Sequence, residues 1–275
     1  MRLLKAKRGR QIYHSLKGHL IEQTPKVLLK RLKRIHYLRK FKNVNEGSEQ
    51  DFQIVKKIVK SGECVVDIGA NIGIYTAFLA RLVGGGGRVF SIEPVALTFG
   101  FLKNNVRKTK MNNVVLLNYA ISEFDGETSI EIPKYETGGG NYYQAKIVQD
   151  NFQKLKRGEV VQTKRLDNLL GDTDERISFI KCDVEGHELE CVKGAIGIIK
   201  KCHPSWLIEV SDNPDKGDSK AFRMVGLLES EGYKCFWFDG RVLRRRGRGD
   251  ASVNYFFLTP VHLRKLNEDK SVNLR

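Results

Sequence analysis

Short apolar runs alternate with stretches of helical periodicity along most of the chain, and turn residues separate them. Residues 64–66 form an apolar run suited to a buried strand, and Phe78 and Leu82 repeat near a turn apart in a predicted helix over 74–82. Strands that alternate with helices form parallel sheets, so the pattern predicts an α/β, doubly wound, mostly parallel sheet. The other predicted strands are one that ends at Glu93 and those over 114–118, 177–182 and 206–210; the other predicted helices lie within 52–59, 98–106, 189–199 (containing Gly194) and 222–230.

Two further pairs of strands complete the predicted fold. Residues 128–132 and 159–164 are expected to pair around a loop of glycines and tyrosines at 138–143, which either shapes a substrate pocket or is simply a flexible connection. Residues 234–238 and 255–258 are expected to form a closing hairpin that gives the sheet an antiparallel edge. No internal repeat or long linker appears, so we predict a basic helical extension over 1–45 and one catalytic domain over 46–275.

The most informative residues surround the turn between the first predicted strand and its helix. Asp67, Gly69, Asn71 and Gly73 occur there in the order D-x-G-x-N-x-G. A glycine turn of this kind lets backbone N–H groups and the N-terminus of the helix approach a ligand closely. Twenty residues after the last glycine, a second strand ends at Glu93, about the distance at which nucleotide-binding folds place an acid on ribose hydroxyls. Loop and acid together predict a site for an adenosine-containing cofactor, although a glycine cluster alone is also typical of a structural turn.

The chemistry of the loop favours S-adenosylmethionine over a dinucleotide. A dinucleotide fingerprint reads G-x-G-x-x-G and leaves room for a pyrophosphate. Here a carboxylate stands at the end of the strand, where it repels a pyrophosphate and attracts an ammonium group. S-adenosylmethionine has an amino-acid end, a sulfonium and no phosphate, so the sequence predicts this cofactor.

A second group of polar residues follows the predicted strand over 177–182, in the segment FIKCDVEGHELE. Acids at a helix N-terminus are stabilised by the helix dipole, which is sufficient to explain Glu188 and Glu190. Asp183 and Glu185 precede the helix, at the edge of the sheet where ligands bind. We therefore predict that Asp183 accepts the proton of an alcohol acceptor and that Glu185 positions the substrate or assists. A divalent metal is an alternative use of such a cluster, but no metal ligand is assigned, and His187 is expected to support the helix start.

Charge is distributed unevenly along the chain. Residues 1–42 hold fourteen Lys and Arg against one acid, a net charge of +13, whereas the other 233 residues hold 34 basic and 31 acidic residues, a net charge of +3. A second basic cluster, Arg241 to Arg248, falls in a turn-like stretch. Five widely spaced cysteines include no C-x-x-C pair, so buried reduced thiols and a cytoplasmic protein are expected. Apolar residues recur at helical spacing within the basic segment, at Val27, Leu28, Leu32, Ile35, Leu38 and Phe41.

The basic segment 1–42 has three interpretations. It is a solvated helix that docks on the catalytic body by its apolar stripe, an arm that binds RNA phosphates, or an element that attaches to an anionic membrane surface. No aromatic residues are interleaved with the basic ones as a stacking platform, which disfavours RNA. No signal peptide or transmembrane span is indicated, so any membrane association that the sequence predicts is peripheral.

The combined motifs resemble the FkbM-type family of S-adenosylmethionine-dependent methyltransferases. The resemblance implies a Rossmann-like class I methyltransferase fold and transfer of a methyl group to a hydroxyl of a sugar, a glycan or another small molecule. It implies that the ribose lies on Glu93 and Pro94, and that the segment around Ala120 borders the adenine. The methionine end of the cofactor would lie against Asp67, Gly69, Ala70, Asn71 and Gly73. The matching segments are VVDIGANIGIYT, FSIEP, Asn104–Asn105, NYAIS, Arg165–Leu166–Asp167, FIKCDVEGHELE, Val192–Lys193–Gly194–Ala195, LIEV and NYFFL.

Other functions remain open at this point. An RNA methyltransferase would use the basic arm to bind phosphates, but neither an N/D-P-P-Y-type motif nor a catalytic cysteine pair is present. A module that docks on a membrane or a partner and keeps the cofactor fold without activity is a third possibility. A nicotinamide oxidoreductase is excluded by the chemistry of the loop. The sequence makes no prediction about the oligomeric state.

Overall fold

The computed structural model describes residues 25–133, 145–148, 158–171, 173, 175–250, 252–268 and 273–274. Its strands are β1 Cys64–Ile68, β2 Arg88–Ile92, β3 Val114–Leu117, β4 Ala120–Ile121, β5 Gly126–Glu131, β6 Lys146–Val148, β7 Gly158–Lys164, β8 Ile177–Cys182, β9 Ser205–Glu209, β10 Lys234–Phe238, β11 Val242–Arg245, β12 Asn254–Leu258 and β13 Asn273–Leu274. Its helices are α1 Lys26–Lys42, α2 Phe52–Ile58, α3 Ile74–Val83, α4 Ala96–Thr109, α5 Leu166–Leu170, α6 Glu188–Lys193, α7 Ile196–Cys202, α8 Lys220–Ser230 and α9 Pro260–Glu268.

The main sheet has nine strands in the order β13-β11-β10-β12-β9-β8-β1-β2-β3. The five strands from β9 to β3 are parallel, and β12 then runs antiparallel to β9. The α/β, mostly parallel sheet with an antiparallel terminal region is therefore confirmed. The antiparallel pairing of β10 with β12 was expected, but β11 stands between them in the chain and pairs on the other side of β10. Because β1 lies in the middle of the parallel half, its carboxyl end meets those of β2 and β8.

Helices cover both faces of the main sheet, and each face has its own apolar core. One core collects side chains under α6, α7 and α8, with Trp206 and Tyr255 among its fully buried residues. The other lies under α2, α3 and α4, and includes Phe41 and Phe52. The ring of Phe52 stacks on that of Phe78 with centroids 3.7 Å apart. Among the described helices, none combines the length and the apolar character needed to cross a bilayer.

A second, smaller sheet rises beside the carboxyl ends of the main one. Its four strands have the order β4-β7-β5-β6, and β5 pairs antiparallel with β7 over six residue pairs, as the sequence predicted. Its inner face carries Ile130 and Val161, which are buried with Val95 in a core of their own. The loop 138–143 lies outside the described residues, so its suggested part in a substrate pocket stays a prediction.

The single helix that was expected over 189–199 is wrong, because the chain forms two helices there, α6 and α7. A Cβ atom on Gly194 would lie 2.0 Å from the carbonyl oxygen of Ser122, so this position is pressed against a distant backbone. The second helix then starts afresh, since the carboxylate of Asp167 accepts hydrogen bonds from the N–H groups of Gly197 and Ile198 at 3.1 and 2.9 Å. The break is therefore imposed by tertiary contacts rather than by helix propensity.

The two basic clusters are placed differently. Arg241 to Arg248 was expected to be turn-like, but its centre forms β11, and two of its arginines are bound to acids. Arg244 donates to Asp239 at 2.7 Å, and Arg246 forms an ion pair with Asp215. Helix α1 packs its C-terminal end on α3 and α4, whereas apolar residues of its N-terminal part remain exposed. The expected docking of the whole apolar stripe is thus only partly realised, and the boundary between residues 45 and 46 stays a prediction.

Candidate active site

A cavity of about 260 Å³ opens at the carboxyl ends of β1, β2, β8 and β9. This is the edge at which open α/β sheets bind ligands. Seven of the ten site residues predicted from the sequence line it: Gly69, Asn71, Glu93, Pro94, Ala120, Asp183 and Glu185. The other three, Asp67, Ala70 and Gly73, lie behind its wall.

Gly69 is the point at which the ends of β1 and β8 touch. It has a φ angle of +76°, and a Cβ atom there would lie 1.8 Å from the carbonyl oxygen of Asp183. Glycine alone combines this left-handed backbone with so close an approach. The turn therefore brings the glycine loop and the second predicted motif to one place.

Gly73 and Asp67 support the loop from behind the wall. A Cβ atom on Gly73 would lie 2.7 Å from the side chains of Phe41 and Leu102, so this glycine lets α1 and α4 approach the turn. The fully buried Asp67 accepts a hydrogen bond from the Thr76 hydroxyl at 2.6 Å. Burial raises the pKa of Asp67, against the opposing effect of Lys181. The second oxygen of Asp67, Oδ1, has no hydrogen-bond partner among the described residues.

Glu93 is held by three donors at one end of the cavity, which we call the Glu93 end. Its Oε2 accepts from the N–H of Asn71 at 2.9 Å, and its Oε1 accepts from the N–H of Val95 at 3.0 Å and from the Thr98 hydroxyl at 2.7 Å. Burial raises the pKa of Glu93 to about 7 in spite of these bonds. The side chain of Asn118 braces the same turn by donating to the carbonyl oxygens of Glu93 and Pro94. Each carboxylate oxygen can accept more than one hydrogen bond, so Glu93 can still bind a ligand hydroxyl.

An apolar wall lies next to the Glu93 end, and only its segment around Ala120 was assigned from the sequence. It combines the segment around Ala120 with the inner face of the small sheet, so the cavity lies between the two sheets. An apolar slot beside an acid suits a planar heterocycle next to a ribose. The apolar residues of this wall are Val95, Tyr119, Ala120, Ile121, Ile130, Ala145 and Ile147.

The other end of the cavity holds a cluster of three carboxylates, Asp183, Glu185 and Glu209, which we call the carboxylate cluster. One oxygen of each lies within 4.8 Å of the others. The ammonium group of Lys181, on β8, donates to Asp183 Oδ2 at 2.7 Å. The Lys181 side chain is 6% exposed and that of Asp183 is 29% exposed, so the cation is buried beneath an accessible acid. Lys181 also lies over the ring of Tyr75, 4.7 Å from its centroid.

Burial and mutual repulsion shift the ionisation of this cluster. Burial, followed by the charge of Asp183, raises the pKa of Glu209 to about 7. The same two causes, in the same order, raise the pKa of Glu185. Burial alone would lower the pKa of Lys181, but the charges of Asp183 and Asp67 outweigh it and raise that pKa. The cluster thus holds more negative charge than its one buried cation neutralises.

Two further acids approach the cluster from the loop between α1 and α2. Burial raises the pKa of Glu49, which is also influenced by the charges of Lys181 and Asp183. Burial raises the pKa of Asp51 to about 6, and Asn254 donates a hydrogen bond to Asp51 at 2.7 Å. Sequence reasoning did not select these two acids, because no motif marks their loop.

The remaining polar residues of the second motif have structural partners. His187 Nε2 lies 3.1 Å from the hydroxyl of Ser122 and is buried at the start of α6, as expected. Glu188 accepts from the N–H of Gly186 at 2.8 Å, and Glu190 pairs with Lys220 at 2.7 Å. These contacts agree with the helix-start interpretation of the two glutamates.

Two non-glycine residues of the cavity have a left-handed backbone conformation. Four non-glycine residues among those described have positive φ angles, and two of them, Asn71 at 52° and Glu185 at 55°, line the cavity. Such conformations cost free energy and persist where the surrounding structure enforces them, often at ligand sites. Both ends of the cavity therefore carry one strained, polar lining residue.

The residues present fit a cofactor that has a ribose and a cationic amino-acid end. Glu93 provides hydroxyl acceptors, and the side-chain oxygen Oδ1 of the lining residue Asn71 lacks a hydrogen-bond partner among the described residues. No phosphate-binding cation lines the cavity within the described ranges. The carboxylate cluster also has the oxygen ligands that a divalent cation requires, although Lys181 already supplies one positive charge.

Comparisons with known proteins agree with a site for a cofactor of this kind. The model of the methyltransferase FkbM domain matches residues 67–235. Methyltransferase 1 of Beauveria bassiana is 26% identical over 182 residues, which cover 62% of this chain and 71% of that protein. Hexuronic acid methyltransferase AglP of Haloferax volcanii is 25% identical over 200 residues, which cover 73% of this chain and 77% of that protein.

A solved structure is also similar. The methyltransferase FkbM of Methylobacillus flagellatus is 17% identical with a TM-score of 0.47, and the match covers 92% of this chain and 60% of that one. This chain therefore spans less than two thirds of that protein's length. The domain model covers more than half of the present chain and includes both motifs of the cavity. The chain belongs to the FkbM methyltransferase family, and it is a methyltransferase whose cofactor is S-adenosylmethionine.

Proposed function

We propose that this enzyme methylates a hydroxyl group of a sugar, a glycan or another small molecule, and that the acceptor binds at the carboxylate cluster. The observation that carries the proposal is the position of Asp183. It directly follows β8, lines the cavity, is partly accessible, and is held through Oδ2 by a buried lysine. A positioned carboxylate of this kind is suited to accept a proton from an alcohol.

The Glu93 end would hold the cofactor. Glu93 would accept hydrogen bonds from the ribose hydroxyls, with Pro94 and Ala120 along the nucleoside and Gly69 and Asn71 towards the amino-acid end. Asp67, Ala70 and Gly73 would act from behind the wall by fixing the turn. When bound, S-adenosylmethionine supplies a methyl group that its sulfonium already activates. The protein's task is therefore to align the acceptor hydroxyl and exclude water.

The carboxylate cluster would serve the acceptor. Asp183 would accept the proton of the reacting hydroxyl, while Lys181 keeps its carboxylate oriented. Glu185 and Glu209 would accept hydrogen bonds from neighbouring hydroxyls, which is how carboxylates bind polyols. A sugar offers several adjacent hydroxyl donors, and the similarity to a hexuronic acid methyltransferase supports this class of acceptor.

The charge of the cluster argues against RNA as the acceptor. Asp183, Glu185 and Glu209 lie around the opening with Glu49 nearby, and the cation among them is buried. A polyphosphate approaching this opening would be repelled, whereas a hydroxyl-rich acceptor would not. RNA methylation therefore becomes the outcome that the experiment must exclude.

The test is transfer of labelled methyl from S-adenosylmethionine into a host extract that is then divided into glycan, small-molecule and RNA fractions. We expect the label in a nuclease-resistant fraction, and we expect purified oligosaccharides with and without uronic acids to compete with it. Asp183→Asn should abolish the labelling, whereas the exposed Asp218→Asn should not. Label that disappears on RNase treatment would overturn the proposal.

A further inference from the structure

Helix α1 carries an apolar stripe that the described part of the protein leaves uncovered. Leu28, Leu32 and Ile35 follow one another at one-turn spacing and are 47%, 52% and 46% exposed, and the neighbouring Val27 is 83% exposed. The other large apolar side chains that are exposed stand on separate segments: Phe124, Val160, Phe222, Val253 and Val261. The stripe is therefore a clustered feature and not the scatter of single apolar residues that protein surfaces ordinarily show.

Positive charge flanks this stripe. The seventeen residues of α1 include eight Lys and Arg and no acid. With 3.6 residues per turn, Arg31, Arg39 and Lys42 lie along the stripe or at its border, and all three are exposed. Within the described ranges, no carboxylate forms an ion pair with any of them. An exposed apolar line with unpaired cations beside it is the pattern of helices that lie in the surface of an anionic bilayer.

The opposite face of the helix is fixed to the body. Phe41 is fully buried, and the ring of Tyr37 packs edge-on against Phe101 with centroids 5.0 Å apart. Arg81 donates to the carbonyl oxygens of Phe41 and Lys42 at 3.2 and 3.1 Å, and so closes the C-terminal end of the helix. The helix is thus packed on the body by one face and exposes the apolar stripe on the opposite face.

We propose that this face of α1, made of Leu28, Leu32 and Ile35 with Arg31, Arg39 and Lys42, docks the enzyme on an anionic membrane. The leucines and the isoleucine enter the boundary between headgroups and acyl chains, while the arginines and the lysine contact lipid phosphates. Nucleic acid is the weaker match, because the stripe contains no aromatic side chain for base stacking, and phosphates do not cover aliphatic groups. This inference does not depend on which acceptor the enzyme methylates.

Helix α1 is also connected to the catalytic cavity. The loop that follows α1 carries Glu49 and Asp51 to the carboxylate cluster. The same helix contacts the glycine turn through Phe41, which lies against Gly73. The docking face and the cavity are therefore joined by one short segment of chain.

The experiment is co-sedimentation of the full chain with vesicles of phosphatidylcholine alone and of phosphatidylcholine with phosphatidylglycerol. We expect binding to the anionic vesicles that weakens with salt, and a loss of at least about tenfold in affinity for Leu28→Ser/Leu32→Ser/Ile35→Ser. The matched control, Phe222→Ser/Val253→Ser/Val261→Ser, removes three apolar side chains that are similarly exposed on other segments. It should bind like the unmodified protein, and thermal unfolding checks that both variants remain folded.

Four results would overturn the proposal. One is no sedimentation of the unmodified protein with anionic vesicles. The second is equal binding by the unmodified protein and the α1 variant, which would leave only a non-inserting electrostatic contact. The third is a dimer in solution that the α1 variant converts to a monomer, because the stripe would then be covered by a second copy. Tighter binding to a single-stranded RNA oligonucleotide than to vesicles, unaffected by the serine substitutions, would assign the cations to nucleic acid instead.

Discussion

The carboxylates at the two ends of the cavity have opposite surroundings. Glu93 is buried, and its two oxygens accept three hydrogen bonds from fixed donors. Asp183, Glu185 and Glu209 crowd within 4.8 Å of one another around one ammonium group. At the Glu93 end the protein itself supplies the hydrogen-bond donors to the carboxylate, whereas the carboxylate cluster is left with excess negative charge.

This difference indicates which end is built for a fixed ligand and which for hydroxyl chemistry. Donors that hold a carboxylate in one orientation prepare it for a ligand of constant geometry, as a cofactor is. Repelling carboxylates cost stability, and such costs are concentrated at functional sites because ligand or catalysis depends on them. Substitutions at the two ends should therefore have separable effects, on cofactor affinity at one and on turnover at the other.

Asp183→Asn is expected to give the largest difference between the effect on turnover and the effect on cofactor affinity. The amide cannot accept a proton from the acceptor hydroxyl, so turnover should fall by about three orders of magnitude. The dissociation constant for S-adenosylmethionine should change by no more than about threefold, since the Glu93 end is intact. Methyl-transfer assays on the identified acceptor and calorimetric titration with the cofactor measure the two quantities.

Two variants calibrate this result. Glu185→Gln, which keeps the shape but removes a charge, should lower turnover by about tenfold if it only positions the acceptor. Asp218→Asn, an exposed acid away from the cavity, should leave both quantities unchanged. Loss of cofactor binding in Asp183→Asn with turnover preserved at saturating cofactor would contradict the division of the cavity.

The opposite result is expected at the other end, from Glu93→Gln. In either orientation the amide nitrogen of the glutamine would face an N–H donor, that of Asn71 or that of Val95, and the ribose would lose a carboxylate acceptor. We expect the dissociation constant for S-adenosylhomocysteine to rise by about 10- to 100-fold, or about 1.4 to 2.7 kcal/mol. Turnover at saturating cofactor should remain near that of the unmodified enzyme.

Thr98→Val provides a graded comparison for this variant. It removes one of the three donors to Glu93 and keeps the carboxylate. Its effect on cofactor affinity should therefore be smaller than that of Glu93→Gln. If Glu93→Gln binds the cofactor normally, Glu93 does not contact the ribose, and the apolar wall must carry the affinity.

The sequence predicts those parts of the site that local segments specify. Gly69 was found because it directly follows a predicted strand, and Glu93 was found because it ends the next strand twenty residues after Gly73. The contact of Glu209 with Asp183 and Glu185 required the knowledge that β8 and β9 are neighbours in the sheet, which no short segment contains. The apolar wall required the same kind of knowledge, because it is completed by β5 and β6 of the smaller sheet.

Tertiary contacts also explain where the predicted elements differ from the structure. The periodicity over 189–199 is helical on both sides of Gly194, and contacts with the distant residues Ser122 and Asp167 divide it. In α1 the spacing of apolar residues predicts a helix correctly. It does not show that Arg81 and Phe41 fix one face while Leu28 and Leu32 remain exposed.

The smallest expected effect is on stability. Glu209→Gln removes one charge from the carboxylate cluster, and the pH dependence of the free energy of unfolding measures the result. The pKa of Glu209 is raised from 4.5 to about 7, so the native state retains a proton that the unfolded state has lost between these values. The contribution of this group to stability is therefore complete below about pH 4.5 and is lost as the pH rises through about 7. Removing the charge should make the variant about 1–2 kcal/mol more stable than the unmodified protein at pH 8, with little difference near pH 5, after allowance for partial exposure to solvent.

Urea unfolding at about pH 5 and about pH 8 measures this difference. The pKa of Glu93 is raised in the same direction, so the stability of the Glu209→Gln variant still depends on pH, and only the difference between the two proteins reports on Glu209. Parallel stability profiles would mean that Glu209 is ionised throughout and that another cation neutralises the cluster. A divalent ion is then the direct explanation, because Asp183, Glu185 and Glu209 offer the oxygen ligands it needs, and removal of the ion with a chelator should restore the difference.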